Sequence, residues 1–169
     1  EFGDAAATRA AFDRAHHVTR FDFRHGRVAG CAIEPRAYLG LYDPARDHYT
    51  LWAACQNPHF LRNLIATDAL RIPISKLRVV APDVGGGFGP KYFCYPELPI
   101  VLWGAKRVGR PVRWTATRAE SLLTDTHARD IVTSAEMAFD EAGRALAMRC
   151  RSTASCGAYM STFAPTILT

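Results

Sequence analysis

Asp83-Val84-Gly85-Gly86-Gly87-Phe88-Gly89-Pro90-Lys91 is the stretch on which the reading of this chain turns. It leaves an apolar run, Leu77-Arg-Val-Val-Ala-Pro82, whose β-branched residues predict a strand. Three consecutive glycines after a strand permit positive φ and leave backbone N–H groups uncovered. Such a run can form a concave nest for an anion or an oxo group, and it lets a flat cofactor approach the main chain. Phe88 sets a large apolar ring in the most open part of the loop, and we read it as the wall of a small pocket. Two familiar loops are excluded. A phosphate loop needs Gly-x4-Gly-Lys-Ser/Thr, but Pro90 separates Gly89 from Lys91 and Tyr92 follows. A dinucleotide fingerprint needs Gly-x-Gly-x-x-Gly, and Pro90 fails its last position. A β-bulge or a tight hairpin tip remains the plainer alternative.

Outward from this loop, the spacing alternates between hairpins and helices. Asp4 caps a predicted helix running toward His17, with Ala7, Ala11, Phe12 and Ala15 on its apolar face. Val18 to Arg24 alternates apolar and polar, which predicts a half-buried strand. His25 to Gly30 reads as a flexible loop. Two β-rich runs, 36–42 and 49–54, flank the turn Asp43-Pro-Ala-Arg-Asp47 and predict a hairpin. Asn57 and Pro58 open a helix predicted to end near Leu70. Glu97–Val108 is a second helix, begun at Pro96 and closed by Gly109. Residues 111–117 read as a strand, 119–124 as a short helix or turn, and Ile131–Phe139 with Ala145–Ala154 as a long hairpin around Asp140-Glu-Ala-Gly143. The expected fold class is therefore α+β, with mixed sheets built from hairpins and interspersed helices, not a doubly wound parallel sheet.

Composition narrows the function classes. At 169 residues the chain has the size of one ordinary domain or two very small ones. With 49% hydrophobic and 22% charged residues it is neither disordered nor fibrous. It contains no apolar run of about 18 residues, so no membrane-spanning helix is predicted. It does not begin with Met, so it is expected to be a piece of a longer protein. The net charge is +5, but the basic residues are scattered, which argues against a nucleic-acid partner. The densest basic stretch, Lys106, Arg107, Arg110 and Arg113, reads as a solvated helix end. Five cysteines, with no Cys-x-x-Cys pair, fit neither a disulfide framework nor a zinc site. We read them as free thiols in a reducing, cytoplasmic setting, with Cys31 and Cys55 as small core residues. The adjacent His16 and His17 cannot share one metal from a helix face.

The glycine loop, together with three further segments, resembles the molybdenum hydroxylases, the family of xanthine dehydrogenase, aldehyde oxidase and aerobic carbon monoxide dehydrogenase. Ile33-Glu-Pro-Arg36 is similar to the family's Met-Glu-Pro segment, with Ile in place of Met. Cys55-Gln-Asn-Pro-His59 resembles its Gln-Asn-Pro segment. Gly109-Arg-Pro-Val-Arg-Trp114 with Arg118-x-Glu120 resembles its next strand and turn. All four segments fall in the family's order across the chain.

The resemblance implies a molybdenum–pterin cofactor, molybdopterin or its cytosine dinucleotide, bound by the N-terminal portion of a molybdopterin-binding domain spanning residues 1–169. By resemblance, Gln56 reaches a molybdenum oxo ligand, and Gly87, Phe88 and Gly89 lie beside the metal and pterin with Gly86 in support. FAD and 2Fe–2S clusters are expected on partner subunits or domains, and the parent is expected to be a homo-oligomer. The substrate is expected to be an aldehyde, an aromatic heterocycle or a similar small molecule, hydroxylated with oxygen from water. Tyr92 replaces the Glu that follows the loop Lys in the purine-oxidising branch, which argues against a purine. Lys91 and Tyr92 either shape the substrate pocket or begin the next segment, and Glu97 is read as a helix N-terminal dipole contact. The family's later Arg loop and general-base Glu have no counterpart before Thr169, so the catalytic base is expected outside this chain. The alternative is a non-catalytic binding or assembly module that keeps the fold without the cofactor.

Overall fold

The computed structural model describes residues 3–157 and divides the chain into two units, Glu1–Val28 with Ala128–Thr169, and Ala29–His127. The sequence contains no Gly/Pro/Ser-rich linker at either crossing. The chain instead passes between the units along two short paired strands, β2 (Val28–Ala29) and β7 (His127–Ala128). The run His25 to Gly30, expected as a loop, therefore contains a strand.

In the first unit, α1 (Ala5–Asp13) starts at Asp4, whose carboxylate accepts the N–H groups of Ala6 and Ala7 at 2.9 Å. An antiparallel sheet of order β1-β8-β9 follows from β1 (His17–His25), β8 (Ile131–Phe139) and β9 (Ala145–Ala154). The long hairpin was legible in sequence to the residue. The half-burial expected for β1 was not realised: Phe21 is 64% exposed and stacks on Phe23 at 5.5 Å instead of entering a core.

The central unit carries the glycine loop. Its sheet has the order β5-β4-β3-β6, made of β3 (Ala37–Asp43), β4 (His48–Ala53), β5 (Leu77–Val80) and β6 (Val112–Thr115). β4 and β5 are parallel, and the other pairs are antiparallel, so the sheet is mixed as expected. Asn57 caps α2 (Pro58–Leu64) through a 3.0 Å bond from the Phe60 N–H. The helix does not run on to Leu70 as an α-helix. It widens into a π-helix at Ile65–Leu70, where the Thr67 hydroxyl takes the Asn63 carbonyl that an α-turn would offer to the Thr67 N–H. α3 (Glu97–Val108) ends on Gly109 at φ 65°, and α4 (Arg118–Thr124) is held by a Thr117/Glu120 capping box.

The core of this unit gathers Tyr38, Leu51, Leu61, Ile65, Leu77, Leu98 and Leu102 between the sheet and the helices. α3 lies so close to β3 that a Cβ on Gly40 would stand 2.6 Å from the Val101 carbonyl oxygen. Cys55 is buried, but Cys31 is exposed, which corrects its reading as a core residue. Ala32, one residue on, takes the inward place and is only 7% exposed. All five cysteines are free, among them Cys150 and Cys156 of the first unit.

Candidate functional site

Two charged residues flank Pro35 and anchor opposite ends of the site. Arg36 is 1% exposed, and its guanidinium donates to Asp125 at 2.7 Å, to Glu97 at 3.0 Å and to the Thr124 hydroxyl at 2.8 Å. It also lies 3.7 Å over the Tyr95 ring. This hub ties the start of α3 to the end of α4. Glu97, expected only as a dipole contact in the first turn of α3, is also an ion-pair partner of Arg36.

Glu34 reaches the glycine loop. Its Oε2 accepts the Gly85 N–H at 2.8 Å and the Lys91 ammonium at 2.7 Å. The Lys91 side chain is 2% exposed. It is therefore spent on Glu34 and not offered to a pocket. Partial burial would raise the Glu34 carboxyl, but Lys91 and the Gly85 N–H outweigh it and hold the group below its ordinary value. Tyr92 is half-buried, accepts from the Asn57 side-chain amide at 3.2 Å and stacks on Phe60 at 5.5 Å.

Gln56 lies where β4 gives way to α2 and packs directly against the loop. Its N–H donates to the Lys91 carbonyl at 3.1 Å, and its Oε1 accepts the Gly89 N–H at 2.9 Å. A Cβ on Gly87 would fall 2.6 Å from the Gln56 Cγ and Cδ, so only glycine permits this approach. Gly86 and Gly89 adopt φ near 96° and 100°, which L side chains rarely take. Phe88 itself is left-handed at φ 53°, a strained state for a bulky residue. Its ring is 75% exposed. Gly30 passes close by: a Cβ there would lie 3.1 Å from the Phe88 Cβ and the Pro90 Cδ. Among the described residues, the Gly87 and Phe88 N–H groups have no hydrogen-bond partner.

The structure thus brings Gln56, Gly86, Gly87, Phe88, Gly89 and Lys91 together, with Tyr92 adjoining. Glu34 and Arg36 belong to the Ile33-Glu-Pro-Arg36 segment, but neither carried an expected role. The available signal was Lys91 set between Pro90 and the aromatic pair Tyr92-Phe93, a context in which a charged residue calls for a partner. Burial pushes the Cys94 thiol up to about 11 and raises Cys55 as well, which disfavours the thiolate at both. Among the described residues no three His, Cys, Asp or Glu side chains gather into a metal-holding group. A concavity of about 520 Å³ lies on the other unit, lined by the Arg20, Glu136 and Arg149 ion-pair cluster, and includes none of these residues. No helix among the described residues is long and apolar enough to cross a membrane.

Comparison with known proteins places the chain in a family. The sequence matches the molybdopterin cofactor-binding domain over residues 1–169. It is 35% identical over 157 residues to the 6-hydroxypseudooxynicotine dehydrogenase complex subunit gamma of Paenarthrobacter nicotinovorans, covering 93% of the chain and 20% of that relative. It is also 35% identical to the carbon monoxide dehydrogenase large chain of Afipia carboxidovorans, covering 94% of the chain and 20% of that relative. The solved structure of quinoline 2-oxidoreductase from Pseudomonas putida 86 superposes with a TM-score of 0.80 at 38% identity, covering 86% of the chain and 18% of that protein. The chain spans about one fifth of the length of these curated relatives, whose names mark them as subunits of larger assemblies.

Proposed function

The chain belongs to the molybdopterin cofactor-binding domain family of the molybdenum hydroxylases, and from that premise we propose that it forms one wall of a molybdenum–pterin site in a larger oxidoreductase subunit. Bound there, molybdopterin or its cytosine dinucleotide supplies the redox chemistry that hydroxylates a small carbon centre with oxygen from water.

The donor set fits that group. With its Oε1 engaged by Gly89, Gln56 keeps its Nε2 donors for a ligand. Gly87 and Phe88 add two unpaired backbone N–H groups from the same loop. These donors are neutral. They steady negatively charged oxygen without exchanging a proton, as a preorganised oxyanion site does. The carboxylate that reaches the loop, Glu34, is already committed to Lys91 and Gly85. The absent side chains at Gly86, Gly87 and Gly89 let a flat ring system approach the main chain, and the exposed Phe88 ring offers an apolar edge that excludes water. Tyr92, stacked on Phe60, shapes the substrate side, and Lys91 contributes through Glu34.

The observation that carries the reading is the packing of the Gln56 side chain against one glycine loop in which two N–H groups are unpaired among the described residues. The substrate is an aldehyde, an aromatic heterocycle or a similar small molecule. FAD and 2Fe–2S clusters sit on partner subunits or domains, the parent is a homo-oligomer, and the free thiols suit a cytoplasmic setting. Metal and pterin analysis of the intact parent protein tests the reading. Stoichiometric molybdenum and pterin are expected, and their absence from freshly purified, active material would overturn it in favour of an assembly module.

A further inference from the structure

We infer that Glu34 and Lys91 form a clamp that fixes the span of the glycine loop and so positions Gln56 for the cofactor, an inference that rests on the reading of the site above. One carboxylate oxygen, Glu34 Oε2, receives donors from both ends of the loop: the Gly85 N–H at 2.8 Å and the Lys91 Nζ at 2.7 Å. The main chain reinforces the first contact, because the Glu34 N–H donates to the Gly85 carbonyl at 3.3 Å. The two segments approach so closely that a Cβ on Gly85 would overlap the Glu34 Cβ at 2.7 Å. From Lys91 the connection runs on to Gln56, whose N–H donates to the Lys91 carbonyl at 3.1 Å. Gln56 then returns to the loop, with its Oε1 accepting the Gly89 N–H. The hydrogen bonds therefore link Gly85, Glu34, Lys91, Gln56 and Gly89 in series around the loop.

The choice of residues argues for positioning rather than bulk stability. Burying an ammonium costs solvation that an apolar side chain of the same length would avoid, and a well-packed neutral replacement is often as stable. What an ion pair adds is a defined geometry: two charge-assisted bonds converging on one oxygen. Lys91 is too buried to bind substrate itself. Its effect reaches the site only through the loop ends and through Gln56, so both members of the pair are positioning residues.

The test uses the full-length parent protein with three substitutions: the neutral double variant Glu34→Gln/Lys91→Met, the single variant Glu34→Gln, and the conservative Lys91→Arg. Three quantities are read: the unfolding midpoint, hydrogen exchange at the Gly89 amide in cofactor-free protein, and molybdenum and pterin content after loading. Gly89 is the discriminating probe because its partner, Gln56, is substituted in none of the variants. In the double variant, the midpoint is expected to stay close to wild type while Gly89 exchanges roughly tenfold faster or more and cofactor content falls. Lys91→Arg is expected to restore both toward wild type. The clamp is overturned if the double variant folds with unchanged Gly89 exchange and full cofactor. It is equally overturned if stability falls while Gly89 exchange relative to other protected amides does not change. Should the double variant fail to fold, Glu34→Gln decides by the same two readouts. A wild-type parent without molybdenum would sink the cofactor reading, whereas Gly89 exchange would still decide whether the clamp sets the loop.

Discussion

Substituting Gly87 by alanine separates the site from the fold. Gly87 does not occupy the left-handed region, so an alanine backbone is unstrained there. Its methyl group, however, would stand 2.6 Å from the Gln56 Cγ and Cδ and 2.7 Å from Oε1, about 1 Å inside normal carbon contact. Gln56 is exposed, so its side chain swings away and gives up the 2.9 Å bond from the Gly89 N–H. For the fold, losing that one bond costs about 1 kcal/mol, which lowers the melting temperature by only about 2–4 °C. For the proposed site, the displaced amide would no longer donate to a charged cofactor oxygen, an interaction worth about 1.5–3 kcal/mol. The expected fall in kcat/KM is then roughly 10- to 150-fold. The assay is steady-state turnover with molybdenum content, measured for Gly87→Ala in wild-type and in Gln56→Ala backgrounds. Without the Gln56 side chain the three nearest contacts of the methyl are gone, so the second Gly87→Ala step should cost little. An equal loss in both backgrounds, or full activity in Gly87→Ala, would refute the reasoning.

Other perturbations address the frame around the site. Gly40→Ala forces a methyl to 2.6 Å from the Val101 oxygen and 2.7 Å from its carbonyl carbon. This is backbone that cannot swing aside, so the urea midpoint should report a loss of about 1–3 kcal/mol or more. Arg36→Met strands Glu97 and Asp125 at the ends of α3 and α4. With both carboxylates partly exposed, the loss by denaturant titration should fall near the lower end of the roughly 3–5 kcal/mol typical of broken buried pairs. Asp47 is held down from 3.8 to about 2, first by Lys76 and then by the Tyr42 hydroxyl. A carboxyl whose folded pKa is depressed contributes stability above its unfolded pKa and loses it as pH falls. Asp47→Asn should therefore flatten the acid limb of the stability profile between about pH 4 and pH 2, and an unchanged limb would contradict the assignment.

The local parts of this account were legible in the sequence because local rules govern them. Asp4 and Asn57 are caps, Gly109 ends α3, and the Asp43–Asp47 turn joins β3 to β4, each through contacts within a few residues. The glycine run predicted positive φ, which Gly86 and Gly89 adopt, but it gave no sign that Phe88 would share it. What stayed hidden depends on partners remote in sequence. Lys91 finds Glu34 across 57 positions, and Arg36 finds Glu97 and Asp125 across 61 and 89. No periodicity encodes such pairs, although a charged residue flanked by apolar ones signals that a partner exists. The two-unit division was invisible for a different reason. The chain crosses on strands, not on a flexible linker, so composition does not change at the boundary. The π-helix after α2 likewise depends on one hydroxyl competing for a carbonyl, a contest that helical spacing does not register.

The central claim is that the Gln56 amide and the Gly87–Phe88 main chain face the metal cofactor. Anomalous scattering at the molybdenum edge from crystals of the loaded parent protein tests this most directly. The account predicts a single strong peak beside the Gln56 side chain and the unpaired Gly87 and Phe88 N–H groups. A molybdenum peak remote from this loop, in a protein that is loaded and active, would contradict it.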